Sequence, residues 1–292
     1  MKTALPTACG LGLRAPHIET VLAERPAVAW WEVHSENYFA VSGGATPSRE
    51  LTGGAAITAL TQLRQDYPIS LHGVGMGLGR LDPLDPAHLA QLKQLVARIE
   101  PAAVSEHLAW NHFAQRHFND LLPVPRVEGV IEHLATRIDQ VQTALQRPIL
   151  IENVSAYVGF ADEMLSEAQL MVELARRTGC GLLVDLNNFH VNTLNLGLDA
   201  AAELAQIPGQ YVEEIHVAGF EWFDGTAVDT HGAPISAEVF ALLQQAQRQW
   251  GAKPVLLERD TNLSSFADLY HEYRSLDQYM NTLQGNTSKV YA

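Results

Sequence analysis

Apolar positions along this chain gather into eight short runs, at 8–13, 29–34, 69–72, 103–107, 149–152, 182–185, 214–217 and 255–258, each rich in Val, Ile, Leu or Trp. Runs this short match strands buried on both faces, the condition of a parallel sheet covered by helices. Between most of them apolar residues recur at every third or fourth position, which predicts helices over 55–65, 86–99, 129–145, 166–178 and 236–250. Two of these carry start signals. Asp85 precedes Pro86 as a cap before a proline at the first helical position, and Ser166 stands before Gln169 in capping-box spacing. Alternating strands and helices imply parallel strands joined by right-handed crossovers, and eight strands close an α/β barrel of the (β/α)8 (TIM) type. The competing arrangement, an open doubly wound sheet, calls for a GxGxxG turn after its first strand, and none follows here. One domain is expected over 1–283, with 284–292 a frayed tail.

Composition narrows the class of partner. The chain has 292 residues, within the range of one barrel domain, and its 33 acidic against 19 basic side chains leave a formal charge of -14. That charge repels phosphate backbones and acidic membrane surfaces, so neither nucleic acid nor a membrane is an expected partner. No stretch approaches the ~20 apolar residues of a membrane span. Cys9 and Cys180 are too few for a disulfide framework and lack CxxC spacing, which fits a reducing cytoplasm.

In a closed parallel barrel the chemistry sits where strands end, because that rim alone gathers eight loops round one pocket. The expected strand ends carry Glu32, His34 and Glu36, then His72, then Glu106 and His107, then Glu152 and Asn153. Further on they carry Asp185 followed by Asn187, Asn188 and His190, then His216, then Glu258, Arg259 and Asp260. One histidine at a strand end is more often a hydrogen-bonded structural residue than a ligand. Convergence reverses that reading, since burying so many carboxylates and imidazoles together is prohibitive without cations to balance them. Histidine and carboxylate donors without cysteine suit iron, zinc or manganese. At about four to six positions per ion, this many donors suit two or three ions bridged by carboxylates. Asp229 and His231, two residues apart in the expected loop after strand seven, can face the same way and join them. The glycines of HGVGMG at 72–77 lack the lysine of a phosphate loop and let backbone approach the pocket instead. A long loop at 108–120, with His112, His117 and Asn119, is expected to cross the rim, either against substrate or as a solvated cover.

The same residues carry a resemblance. GLGLR (10–14), EVHSENYF (32–39), SLHGVGMGLG (70–79), VSEHLAW (104–110), NDLLPVP (119–125), IENVSAY (151–157), LLVDLNN (182–188), EIHVAGF (214–220), DTHG (229–232) and LERD (257–260) together resemble the multinuclear non-heme iron-dependent oxidases. The resemblance implies a barrel of the xylose-isomerase type, two or three irons in mixed ferrous and ferric states, and dioxygen as co-substrate. It implies modification of cysteines in a ribosomally made precursor peptide, as in methanobactin-forming and bufferin-maturing relatives, with products of thiooxazole or oxazolone-thioamide type. It also implies a companion protein, encoded nearby, that captures the leader of the peptide.

Carried over by position, the resemblance assigns His72, His107, Glu152, Asp185, His216 and Glu258 to a central pair of irons, and Asn188, Asp229 and His231 to a third. Asp185, His190 and Asp260 are expected at the chemistry itself; His190 stands where many relatives have tyrosine, and Asp260, like Glu106, would orient an imidazole. Glu36, Asn37, His112 and Asn119 are expected to meet the substrate. Two alternatives use a related barrel with similar ligands. A sugar isomerase would bring a strand-end lysine and a zinc endonuclease a basic groove, and the expected rim carries neither.

Overall fold

Strands form where the apolar runs predict them. The computed structural model describes residues 4–40, 54–113 and 116–290, with side chains described through residue 283. In chain order its strands are β1 (Cys9–Gly12), β2 (Trp31–His34), β3 (Ile69–Gly73), β4 (Ala103–His107), β5 (Ala109–Phe113), β6 (Arg116–Pro123), β7 (Leu150–Glu152), β8 (Gly181–Asp185), β9 (Val212–Val217), β10 (Gly219–Phe223), β11 (Thr226–Ala233) and β12 (Val255–Leu257). The eight predicted runs close a barrel in the order β1-β12-β9-β8-β7-β4-β3-β2, every neighbouring pair parallel. The remaining strands form two antiparallel hairpins, β5 with β6 and β10 with β11. They correct two expectations, since the described residues of 108–120 pair as strands rather than forming a loop, and Asp229 and His231 stand on a strand.

The helices are α1 (Ile18–Glu24), α2 (Ala55–Leu63), α3 (Pro86–Ile99), α4 (Val130–Leu145), α5 (Glu167–Thr178), α6 (Leu186–Leu196), α7 (Ala200–Ala205), α8 (Ala237–Trp250) and α9 (Phe266–Val290). Both start signals act as expected. Asp85 accepts from Ala87 N at 2.8 Å, and Ser166 and Gln169 exchange both hydrogen bonds of the capping box, at 3.2 and 3.0 Å. Helix α6 is poorly announced by its interior, because Asn187, Asn188, Asn192 and Asn195 are weak helix formers. Burial of Leu186, Phe189 and Val191 holds it, together with the Asp185 carboxylate, which caps it by accepting from Asn188 N at 2.6 Å. Helix α9 runs past Gln284, the expected start of the tail. Among the described residues no helix is long and apolar enough to cross a membrane.

Strand alternation then sorts the side chains. Val104, Ile151, Val184 and Leu257 face out into the buried layer under the helices. On the inward face the barrel begins with Ala103, Leu150 and Leu183, and moves two residues on to Ser105, Glu152 and Asp185. Register sets the polar end in one ring, with His107 beside Glu152, Asp185 beside His216 and His34 beside His72. The lower barrel is tightly filled. A Cβ on Gly10 would stand 2.3 Å from the fully buried indole of Trp30. Gly10→Ala should therefore cost about 1–3 kcal/mol, read as a lower urea midpoint at unchanged slope.

Candidate metal centre

The side chains at this ring meet one another. His72 and His107 both bring Nε2 to 3.3 Å from Glu152 Oε2. His216 stands on the far side of Glu152, its Nδ1 3.6 Å from Glu152 Oε1 and 2.9 Å from Glu258 Oε2. Glu258 Oε2 is also 3.4 Å from His231 Nδ1, and His231 Nε2 lies 2.7 Å from Asp229 Oδ1 and 3.9 Å from Asp185 Oδ2. The expected ligands thus form one connected cluster, with Asn188 tied to it through Asp185. His231 reaches its place with φ at +47°, where the pairing of β10 with β11 shifts register. A non-glycine residue held there costs about 1–2 kcal/mol, which the cluster contacts offset.

Partners behind these groups fix their orientation. His107 Nδ1 lies 2.9 Å from the carbonyl oxygen of Gly73, which can only accept, so Nδ1 carries the hydrogen and Nε2 presents its lone pair. His72 Nδ1 shares a 2.7 Å hydrogen bond with Ser105 Oγ. Asn187 Nδ2 donates to Asp229 Oδ1 at 2.6 Å. Asn153 clamps the end of β8, donating to Asp185 O at 2.9 Å and accepting from Asp185 N at 2.8 Å.

Burial dominates the electrostatics. It pushes Glu32 and Asp185 up to about 7, and Glu152 well above the carboxylate range. It pulls His107 down to about 4 and His72 well below the imidazole range, leaving both rings neutral, the form that binds a metal. Burial would lower His216 and His231 too, but carboxylates outweigh it and hold both well above that range. The groups responsible are Glu32, Glu258 and Glu152 for the first and Asp229 and Glu258 for the second.

The residues fit cations on a direct test. Both carboxylate oxygens of Glu152, Oδ2 of Asp185 and Oδ1 of Asn188 are buried without a hydrogen-bond partner. Each such atom ordinarily costs about 1–3 kcal/mol. Here they face one another in trios, His72–His107–Glu152 and Glu152–Asp185–His216, with donor atoms of each trio within 4.8 Å. Glu152 belongs to both, as a bridging carboxylate must.

Other expected site residues lie elsewhere. His190 stands two positions beyond Asn188, about 200° round α6, and packs edge-on to Phe220 at 5.4 Å, where the charge of Glu238 acts on it. The contacts that join the cluster do not reach it. Glu36 accepts from Val74 N at 3.1 Å and Gly75 N at 2.8 Å, so it braces the glycine loop rather than facing a substrate. Asn37 is exposed on the single turn Ser35–Tyr38. His112 lies 3.2 Å from Asp82 and lines a separate groove with Leu81 and Phe113, on the outer side of the β5–β6 hairpin. Asp260 does join the cluster, 3.2 Å from His231 Nδ1.

One residue goes unassigned by sequence reasoning. Arg14 is buried, its Nη2 2.9 Å from Glu258 Oε1 and its Nε donating to Asp260 Oδ1 at 2.6 Å. The signal was present in GLGLR, where a lone arginine follows the one strand whose end offers neither histidine nor acid.

Comparison with protein families matches residues 8–281 to the family described as RiPP precursor modification enzyme MbnB/TglH/ChrH, RiPP denoting a ribosomally synthesised and post-translationally modified peptide. The chain belongs to this family. It is similar to the UPF0276 protein of Chromobacterium violaceum, 43% identical over 270 residues that cover 92% of this chain and 94% of that one. A UPF0276 protein of Acaryochloris marina is also 43% identical, over 93% of this chain and 94% of its own. Solved structures of similar shape include L-ribulose 3-epimerase, with TM-score 0.62, 14% identity and 98% of both chains covered. Endonuclease IV from Thermus thermophilus follows at TM-score 0.59 and 14% identity, over 94% of this chain and 99% of that one. At such identity the likeness shows the fold alone, a xylose-isomerase-like barrel.

A RiPP modification enzyme acts on a precursor peptide, and this barrel has a cavity beside the cluster. A cavity of about 350 Å³ opens over His107, Asn188 and Asp229, walled by Asn119, Asp120 and Tyr157. The pairing of β5 with β6 slips between Trp110 and His112, which lets residues 118–121 bulge over the opening. Behind the end of β7, Glu167 accepts from Val154 N at 3.1 Å, and burial pushes its carboxyl from 4.5 up to about 7. Its folded value is raised, so its contribution to stability is full below pH 4.5 and is lost as pH rises through about 7. Glu167→Gln should flatten that decline, checked by urea midpoints between pH ~5 and ~8. An identical decline in the variant would contradict the assignment.

Proposed function

We propose that this chain is an iron-dependent oxidase that uses dioxygen to modify cysteine residues of its precursor peptide in the cytoplasm, working with a leader-binding companion protein. The observation that carries this reading is the set of buried carboxylate and imidazole donors gathered on both sides of Glu152, whose own two oxygens lack a hydrogen-bond partner. His72, His107, Glu152, Asp185, His216 and Glu258 would hold a central pair of irons, and Asn188, Asp229 and His231 a third. When bound, the irons would supply the redox chemistry, with the cysteine oxidised towards a thiooxazole or oxazolone-thioamide group and dioxygen reduced to water.

The chain's own residues supply geometry. Gly73 O keeps the His107 lone pair directed inward, and Arg14 fixes one oxygen of Glu258 so that the other faces the cluster. Asn119 and Tyr157 line the entry and would orient the peptide. Cys9 and Cys180 are buried, and burial pushes both thiols up, Cys180 to about 11, so the reacting sulfur belongs to the peptide.

The test is incubation of anaerobically purified protein with its companion, dioxygen and each cysteine-containing peptide encoded beside its gene, followed by mass spectrometry. A mass change that needs both iron and dioxygen supports the reading. Unchanged peptides throughout, with iron-loaded protein, would contradict it.

A further inference from the structure

Outside the barrel, three more donor groups converge. Glu106 neighbours His107 on β4, and strand alternation sends it to the opposite face, away from the central cluster. There it meets Glu36, from the turn Ser35–Tyr38, and His88, from the first turn of α3. One donor atom of each lies within 4.8 Å of the other two, and His88 Nε2 is 3.4 Å from Glu36 Oε1. Glu106 is only 3% exposed. Its Oε1 accepts the His107 N–H at 3.2 Å, while its Oε2 is buried without a hydrogen-bond partner, as is His88 Nε2. Among the described residues the one ion pair made by either carboxylate is that of Glu36 with His88.

The backbone is shaped round these atoms. A Cβ on Gly73 would stand 2.2 Å from Glu106 Oε2, and one on Gly75 would stand 3.0 Å from Glu36 Oε1. Glycine keeps that space for the carboxylates. The amides of Val74 and Gly75 hold Glu36 in one orientation, and burial lowers His88 towards its neutral form, which has a lone pair to give. Arg80 lies near enough to act on His88, yet among the described residues neither carboxylate pairs with a guanidinium or ammonium, and two carboxylates so placed call for a positive charge between them.

We propose that Glu36, His88 and Glu106 form a separate site for one divalent metal cation of the zinc, manganese or ferrous class. Two carboxylates and one neutral imidazole balance such an ion and leave further positions for water. The ion ties the loop at 73–75, whose Gly73 carbonyl orients His107, to the end of β2 and the start of α3. This site rests on its own geometry and not on the oxidation proposed above.

Zinc is the probe. Protein stripped by chelation is dialysed against Zn²⁺, and bound metal is counted by plasma mass spectrometry in wild type, His88→Ala and Glu258→Ala, with circular dichroism to confirm folding. His88→Ala is expected to bind one equivalent fewer than wild type, and the double variant to combine that loss with the loss caused by Glu258→Ala. A folded His88→Ala that binds the wild-type number overturns the proposal. Should His88→Ala not fold, anomalous diffraction from zinc-loaded wild type decides the matter. A peak between Glu36 Oε1, His88 Nε2 and Glu106 Oε2 supports the site; no peak there, with the central cluster full, means that a shared proton joins the carboxylates and overturns it. A protein that keeps this outer ion but oxidises no peptide would sink the enzymatic reading alone.

Discussion

Glu258→Ala should strip iron from the protein and lower turnover of the peptide by more than about 100-fold. Its Oε2 faces His216 at 2.9 Å and His231 at 3.4 Å, so one carboxylate serves both the central group and the Asp229–His231 side. Burial alone would raise its pKa, yet His231 and His216 hold it well below the carboxylate range, which makes it an anionic donor at every working pH. Losing a group that merely orients a ligand costs about 10–100-fold, and a ligand shared between positions should cost more. His72→Ala should act in the same direction with a smaller loss of metal, because His72 meets the Glu152 carboxylate whereas Glu258 reaches both His216 and His231. Iron per chain and peptide turnover, measured on the same preparation, check both; retention of either at the wild-type level in Glu258→Ala would contradict the role.

Arg14→Gln should destabilise the metal-free fold by about 3–5 kcal/mol, the cost of leaving a buried ion pair without one partner. Arg14 is 6% exposed and pairs with Glu258 and Asp260, so its loss leaves two negative groups facing each other at the ring. For a chain of this size that corresponds to a fall in Tm on the order of 10 °C. Arg14→Lys restores the charge without the forked geometry and should recover part of the loss. Added divalent metal should narrow the gap between wild type and Arg14→Gln, since a bound cation neutralises the same carboxylates. Calorimetry with and without metal reads all of this, and an unchanged Tm for metal-free Arg14→Gln would contradict it.

The barrel is legible because its strands are buried on both faces, so each reads as a short, mostly apolar run, and most of these runs carry polar residues towards one rim. His72, His107, Glu152, Asp185, His216 and Glu258 could be found from that rule alone. The hairpins could not. Residues of β6 from Arg116 to Asp120 are exposed and mixed in character, and a strand that buries nothing leaves no period to detect. Nearness in sequence to Asn188 does not bring His190 into the cluster contacts, since position along α6 says nothing of rotation about it. Rim residues are expected to face the pocket, yet Glu36 holds a backbone loop and His112 lines the outer side of a hairpin, contacts that no spacing in the sequence announces. Arg14 is no metal donor, and its role is set by the positive charge that buried Glu258 and Asp260 require, a demand visible only once the fold brings them together.

The central claim is that cations neutralise this collar of donors. Iron counted per chain in protein purified without oxygen, with anomalous diffraction from the same material, tests it most directly. Two or three irons within bonding distance of Glu152, Glu258 and Asp229 is the predicted result; the same side chains splayed apart, with no transition metal among them, would contradict it.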